Sequence, residues 1–518
     1  MLAESQLLDV NRNGDIDSGK TSELKKTLGD VRMGCGRSLQ RLMRYREASK
    51  QFKKCADENK QNQIGIDALC SSALCLLRLN NSYSAYSLLK ESCQILSSKD
   101  EEILEGIDGN VAGMLGILKV VLGVTDGPEG IALLKYASEE SKKKGSISIL
   151  YQWLYAVSFV DVSSEKNINL KQNNSRMISA FVERTRNLDD YDFFLQLAAV
   201  NQSPFDEPAL VHLDDKVLLN QLLSSNLTQT ETQRHGKNLC WPKGFILPQE
   251  KENLLEHIKK EGHYKKWILK ERAGYGSHGN SIIDVRKLIE TPFLERYTTQ
   301  EPILCQQLID PPLLINGKKF SLRLFVLYFS RSETSTLDSL PVYISSEGLI
   351  KIASAQYNNT SKSSNEIHMT NSGCYREGEE SMTQFDFNYL RKEIGKDNFL
   401  QVWDSIKSSV ACVMKRYKSS LLLTKTSFGN DKISEVRNDV LSSLPKIMGF
   451  DYIIDTSFKP WLMEVNRFPG LEPRGKCDKI VKQTVLRDAW GIAAEIYSVE
   501  HKDICSESES CSCCFEEL

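Results

Sequence analysis

DYIIDTSFKPWLMEVNRFPG, residues 451 to 470, decides how the second half of this chain is read. Two apolar runs flank a turn at Lys459-Pro460, the pattern of a β-hairpin. Asp451, Glu464 and Asn466 nevertheless stand where buried strands should be apolar. A buried, unpaired carboxylate costs several kcal/mol or neutralises itself by taking up a proton. Such a grouping is stable where it holds a cation. Glu464 and Asn466 are two residues apart, so they project from one face of a strand. A register that pairs Asp451 near Asn466 brings all three side chains together. Oxygen-only ligands on a rigid sheet suit Mg²⁺ rather than zinc. The alternative is an ordinary hairpin with a polar end.

The chain has 518 residues, which implies two or three domains rather than one core. Its apolar fraction of 41% and charged fraction of 26% are those of a folded globular protein. A net charge of -2 argues against a molecule-wide field for nucleic acid or membrane, but leaves room for a local basic groove. The opening MLAESQLLDVN lacks the basic and apolar regions of a signal peptide. ISILYQWLYAVSFV, 147 to 160, falls short of the roughly 20 residues a membrane span needs. The 14 cysteines are scattered singly through apolar segments, which reads as buried thiols in a reducing compartment.

Residues 1 to 25 read as a polar tail. Within it, DVNRNGDIDSGK (9 to 20) has the Asp and Asn spacing of a calcium loop, but its twelfth position is Lys20 rather than a bidentate Glu, so an Asx-rich flexible segment is the better description. Residues 26 to 165 read as helices. Tyr45, Ala48, Phe52 and Cys55 recur at three and four; Tyr83, Tyr86 and Cys93 echo them, as do Ala132 and Tyr136 after Gly127-Pro128. Ala68, Ala73 and Leu77 supply a partner helix. The echo predicts stacked helical hairpins that resemble degenerate tetratricopeptide repeats, with an unrelated helical bundle as the alternative. Residues 166 to 194 read as an Asn/Ser-rich linker, and 498 to 518, with SESESCSCCFEEL, as a disordered tail of solvated thiols.

Between 195 and 497 the composition changes to short β-rich runs among longer helices, an α+β domain. KKWILKE, EPILCQQLI, FSLRLFVLYFS, PVYISS and the opening pair are its expected strands. Trp403, Ile406, Val410, Val413 and Tyr417 mark one face of a long helix. ILKERAGYGSHGNSI puts Lys270 at a strand end before Gly274, Gly276 and Gly279, a loop that lets backbone approach a phosphate; a flexible hairpin fits as well. In NGKKFSLR, Ser321 and Arg323 share a strand face beside Lys319, and arginine offers a planar fork for carboxylate or phosphoryl oxygens. HMTN places His368, Thr370 and Asn371 together in a loop.

Taken in order, CWPKGFILP, WILKERAGYGSHGNSI, QQLIDPPLLINGKKFSLR, YISSEGLIKIASAQY, HMTN and GFDYIIDTSFKPWLMEVNRFPGL closely resemble the tubulin–tyrosine-ligase-like family of ATP-grasp ligases. The resemblance covers roughly 200 to 497. It implies a multidomain chain in which an all-α helical-repeat region precedes an α+β ATP-grasp domain. It implies that Asp451, Glu464 and Asn466 hold Mg²⁺, and that Lys270 and Lys319 contact ATP phosphates. Gln307, Leu308 and Ile309 fall on the hinge whose backbone meets adenine, and His368, Thr370 and Asn371 lie near the nucleotide. Arg323 falls beside the transferred phosphate, and Lys351 where the family commonly has an arginine for a substrate carboxylate. Three departures stand out: Ser321 replaces a family Asp, Glu271 a common Pro, and Lys351 that arginine. The implied reaction is ATP-dependent ligation of a free amino acid to a protein carboxylate, with tubulin or microtubules as the acceptor and the cytoplasm, at the cytoskeleton, as its place. The helical half then serves docking. The competing reading is a catalytically inactive scaffold of the same fold.

Overall fold

The computed structural model describes residues 18–41, 44–59, 63–78, 82–97, 109–122, 128–144, 150, 152–154, 176–181, 183–185, 191–201, 210–224, 240–261, 266–272, 280–284, 297–299, 301–329, 342–353, 355–357, 385–427, 443–473, 475–497 and 513–518. They form two compact units, the first containing the N-terminal helices and the second the sheets with their covering helices.

The first unit contains α1 (Ser18–Arg41), α2 (Tyr45–Glu58), α3 (Gln63–Arg78), α4 (Ser82–Ser97), α5 (Gly109–Leu122) and α6 (Pro128–Lys144). Each helix packs against the next, the nearest-neighbour pattern of a helical-hairpin array. The spacing read from the sequence is the buried face: Ala48, Phe52 and Cys55 on α2, and Ala68 and Ala73 on α3, are all buried. Ser49 and Ser72 join α2 to α3 by a buried hydroxyl–hydroxyl hydrogen bond of 2.8 Å. Helix α1 begins at Ser18, inside the stretch that reads as a tail, while most of the calcium-like loop lies outside the described residues.

The second unit opens with α7 (Tyr191–Val200), the four-residue α8 (Val211–Asp214) and α9 (Lys216–Ser224). The end of the expected linker is therefore folded. Phe181 packs its ring 5.1 Å from Trp490 and 6.2 Å from Phe193, and this apolar burial outweighs the polar composition around it. β1 (Gly244–Leu247), β2 (Lys266–Lys270), β3 (Asn280–Asp284) and β4 (Ile303–Gln307) make an antiparallel sheet in the order β1-β4-β2-β3. Helix α10 (Lys251–Glu261) covers one face of it, where Phe245, Leu254, Ile258, Trp267, Leu269 and Cys305 form a small core.

The larger antiparallel sheet has seven strands. β5 (Leu314–Ile315), β6 (Lys318–Tyr328), β7 (Val342–Ile352), β8 (Phe385–Asp386), β9 (Lys446–Ile454), β10 (Pro460–Asn466) and β11 (Phe515–Glu517) run in the main order β10-β9-β6-β7-β11, with β5 on β6 and β8 on β7. Asn316 and Gly317, with φ of 52° and 73°, make the tight turn from β5 to β6. Period-two alternation gives the sheet two unlike faces. Leu322, Leu324 and Val326 of β6, Phe450 and Tyr452 of β9 and Leu462 of β10 enter the main core. α11 (Phe387–Ile394) and α12 (Lys396–Ser427) close it with Phe387, Ile406, Val410, Val413 and Tyr417, the helix face expected from spacing. The opposite face carries the polar residues. α13 (Lys476–Tyr497) completes the unit.

The described end of the expected C-terminal tail, 513–518, is folded. Phe515 pairs with Ser345, the Cys514 amide donates to Asp488 Oδ2 at 2.7 Å, and Cys514 is buried. The part of the outer edge of β7 that β8 does not cover, at Tyr343–Ser345, and the apolar side chains of Cys514 and Phe515 explain why this short piece docks as β11. Burial pushes the Cys514 thiol well above its ordinary pKa, the reverse of a solvated thiol.

Candidate functional site

The polar face of the large sheet gathers Lys319, Ser321 and Arg323 from β6, Asp451 from β9, Glu464 and Asn466 from β10 and Lys351 from β7. Neighbouring strands set the pairs: Arg323 lies opposite Asp451, and Ser321 opposite Lys351. The β9–β10 register differs from the sequence expectation. Asp451 faces Glu464, while Asn466 faces Gly449. The cause is a β-bulge between Leu462 and Glu464, which inserts Met463 and re-aims the strand. The three expected metal residues still meet. Asn466 Nδ2 lies 3.4 Å from both Asp451 Oδ2 and Glu464 Oε1.

Asp451 is the hub. Arg323 donates from Nε to Oδ1 and from Nη2 to Oδ2, the second bond at 2.7 Å, and Lys351 Nζ stands 3.5 Å from Oδ2. Burial alone would raise the Asp451 pKa; the charges of Arg323 and Lys351, with the Arg323 hydrogen bonds, outweigh it and hold the carboxyl at about 2. Burial pulls Lys351 down to about 8, helped by Arg323 and opposed by Asp451. Gly449 makes room for this pair. A Cβ there would stand 3.0 Å from Arg323 Cδ and 3.1 Å from Nε, tighter than side chains normally accept.

The small sheet contributes Lys270 from the face away from α10. Its ammonium donates to Gln306 Oε1 at 2.8 Å and to the carbonyl of the bulge residue Met463 at 2.9 Å. The bulge thus has two effects: it sets Glu464 opposite Asp451, and it offers a carbonyl to a cation from the other sheet. Burial brings the Lys270 pKa down to about 7, against the raising field of Glu464. Lys319 is buried as well and drawn down to about 8, with Asp310 opposing. Glu271, next to Lys270, is exposed.

In the stretch expected to meet adenine, the Gln307 amide donates to the Lys243 carbonyl at 2.8 Å and the Leu308 amide to the Lys266 carbonyl at 3.0 Å. Among the described residues no hydrogen bond engages the Ile309 amide. His368, Thr370, Asn371 and the glycines 274, 276 and 279 lie outside the described residues.

The sequence did not single out Gln306, Lys216 or Gly449. Gln306 is buried, orients Lys270 and donates to the Pro242 carbonyl at 3.1 Å. Lys216 opens α9, is buried, and stands 3.7 Å from Glu464 Oε2. The one available signal was polarity in apolar surroundings: a Gln in EPILCQQLI and a Lys in LDDKVLL.

The donor chemistry of the corner fits a hard divalent cation. Two carboxylates and an amide converge, and among the described residues no group of three or more His, Cys, Asp or Glu side chains offers a zinc-type alternative. An asparagine amide exchanges its nitrogen for its oxygen by a half turn about its last torsion.

Two antiparallel sheets, with buried lysines on both and a carboxylate–amide corner on one, make up this α+β domain. The chain belongs to the tubulin-tyrosine ligase family, whose model matches residues 208–503. It is 28% identical over 308 residues to tubulin monoglutamylase TTLL4 of Homo sapiens, covering 55% of this chain and 23% of that protein. It is 24% identical over 290 residues to tubulin polyglutamylase TTLL7 of Mus musculus, covering 53% and 30%. The chain therefore matches less than a third of the length of each of these two relatives. A solved structure, the C-terminal domain of Pby1 from K. lactis, described as an ATP-grasp enzyme, is similar with a TM-score of 0.37 and 17% identity, covering 59% of this chain and 78% of that one. Among the described residues no helix is long and apolar enough to cross a membrane.

Proposed function

We propose that the protein is an ATP-dependent ligase that joins an amino acid to a protein carboxylate, with tubulin tails as the acceptor. The observation that carries this is the cation-lined corner around Asp451, with Lys270 reaching it from the second sheet. A carboxylate is a poor acyl donor at neutral pH, and transfer of the ATP γ-phosphoryl group gives it a leaving group. The acceptor carboxylate oxygen attacks that phosphorus, ADP departs, and an acyl-phosphate results. The amine of the incoming amino acid then attacks the acyl carbon, phosphate leaves, and the nitrogen loses a proton to give the amide.

The chain's own side chains bind and orient these partners. Lys270 and Lys319 take phosphate oxygens, where low local dielectric strengthens each contact. Gln306 holds Lys270 in place. The Ile309 amide and the hinge carbonyls are the backbone groups available to adenine. Arg323, whose Nε and Nη2 are paired with Asp451, has Nη1 for the oxyanion of the second step, and Lys351 holds a carboxylate as a point charge without a fork. Asp451, Glu464 and Asn466 would hold Mg²⁺, which neutralises charge on the phosphates when bound. His368, Thr370 and Asn371 remain assigned beside the nucleotide by resemblance. The helical unit is assigned to docking the protein partner.

The relatives named above are glutamylases, so glutamate is the first amino acid to try. The test is incubation of the full chain with ATP, tubulin and each labelled amino acid. ATP-dependent incorporation is the expected result. Ser321, where the family has Asp, favours the scaffold reading; tight ATP binding without incorporation across amino acids and acceptors would establish it instead.

A further inference from the structure

Ser321 stands on β6 between Lys319 and Arg323, two residues from each, so the three side chains share one face of the strand. Across the ladder to β7 it lies opposite Lys351, where directly facing Cβ atoms are about 5 Å apart. On the β9 side, Asp451 faces Arg323, and the next residue of that face is Ile453, a buried apolar side chain. Ser321, Lys319 and Lys351 are all buried. Three cationic side chains therefore flank one buried hydroxyl.

The group is short of negative charge around that hydroxyl. Arg323 takes both oxygens of Asp451, and Lys351 Nζ stands 3.5 Å from one of them. Lys319 has Asp310 as its opposing charge. Where the family has Asp, this chain has a neutral serine, which removes one anion and supplies one nucleophile in its place. A serine hydroxyl is a weak nucleophile at neutral pH, and neighbouring positive charge makes its proton easier to lose. In the ATP-dependent reading, Lys319 takes phosphate oxygens and Arg323 serves the transferred group. Ser321 then lies between residues that face the γ-phosphate. A nucleophile fixed beside its target avoids much of the entropic cost of attack. The product suits the site as well: a phosphoserine brings a charge of about −1.5 to −2 and three acceptor oxygens to Lys319, Arg323 and Lys351.

We propose that Ser321 is a phosphorylation site that the chain modifies itself, with ATP as the phosphoryl donor and no protein acceptor required. Ser321 Oγ attacks the γ-phosphorus. The new O–P bond forms as the bond from that phosphorus to the β–γ bridging oxygen breaks. ADP leaves with the electron pair, and the hydroxyl proton passes to solvent. The phosphoserine then occupies the cations, so the modification stops at a single phosphoryl group per chain. This activity rests on the ATP-dependent reading above, but not on ligation of an amino acid.

The test incubates the full chain with Mg²⁺ and ATP radiolabelled at the γ-phosphate, without tubulin or amino acid, and maps the labelled peptide by mass spectrometry. Wild type, Ser321→Ala and Lys270→Met are compared, with ATP binding measured by calorimetry for each. The expected result is label on Ser321, at a fractional rate independent of protein concentration. Ser321→Ala should bind ATP and take up no label, and Lys270→Met should be labelled at least tenfold more slowly. ATP binding by wild type without label overturns the proposal alone. So does label that maps elsewhere and persists in Ser321→Ala, or labelling of Lys270→Met at the wild-type rate, which marks a copurifying kinase. If Ser321→Ala does not fold, the wild-type peptide map carries the test: phosphate on Ser321 supports the proposal, and phosphate only at other residues overturns it. No ATP binding by folded wild type overturns the nucleotide reading and the proposal with it.

Discussion

Arg323 and Asp451 sit opposite each other on adjacent strands and are joined by two parallel hydrogen bonds, with Lys351 as a second cation on the same carboxylate. Breaking a buried pair costs more than the pair contributes, because the remaining charge is stranded. Asp451→Asn leaves two cations facing a neutral amide. It should lower stability by about 3–5 kcal/mol, read from urea unfolding at pH 7. A change under about 1 kcal/mol would mean the pair is solvated and unimportant.

Gly449 is required by the Arg323 side chain rather than by its own backbone. The added methyl of Gly449→Ala meets Arg323 and Pro469 Cβ, the latter at 3.1 Å. A loss of about 1–3 kcal/mol is expected from overpacking. Combining it with Arg323→Ala, which empties the contested space, should recover much of that loss. Additive destabilisation in the double variant would remove the assigned clash.

ATP affinity should fall as pH rises from 7 to 9. Burial first, then neighbouring cations, hold Lys270 at about 7, and burial holds Lys319 at about 8, both below an ordinary lysine. Bound phosphates favour the protonated amines and raise both values, so above pH 7 binding takes up protons. One amine gives about a tenfold loss of affinity per pH unit above its pKa. Titration in buffers of different ionisation enthalpy measures the uptake directly. Lys270→Arg, charged throughout, should flatten the profile.

Glu464→Gln tests the metal corner. It keeps the shape and removes one hard anionic ligand, so the Mg²⁺ requirement of nucleotide turnover should rise by tenfold or more, about 1.4 kcal/mol. Identical Mg²⁺ dependence in variant and wild type would withdraw the assignment.

Ser321→Asp bears on the scaffold reading. Ser321 is buried opposite Lys351, so a carboxylate placed there has a cation across the strand. We expect the variant to fold and to raise the pKa of Lys351 above about 8. Nucleotide affinity or turnover should change by about tenfold at most. Unfolding of Ser321→Asp would show that Lys351 cannot serve as its partner.

The sequence by itself determined the family, the alternation of strands and the helix faces, because these depend on local periodicity and on short motifs. FSLRLFVLY shows its two faces in the order of its residues, and the spacing of Phe52 and Cys55 shows one face of α2. Convergence of Asp451, Glu464 and Asn466 was also legible, since a hairpin brings its own strands together. The register was not: period-two alternation survives on either side of a bulge, and only the ladder to β9 shows that Met463 is the inserted residue. Only the tertiary structure decided that Lys216, 248 positions before Glu464, shares its corner, that Gln306 orients Lys270, and that Phe515 returns to the edge of β7. These are contacts between elements distant in sequence. No local pattern encodes them, because they are fixed by how sheets and helices bury their apolar faces together.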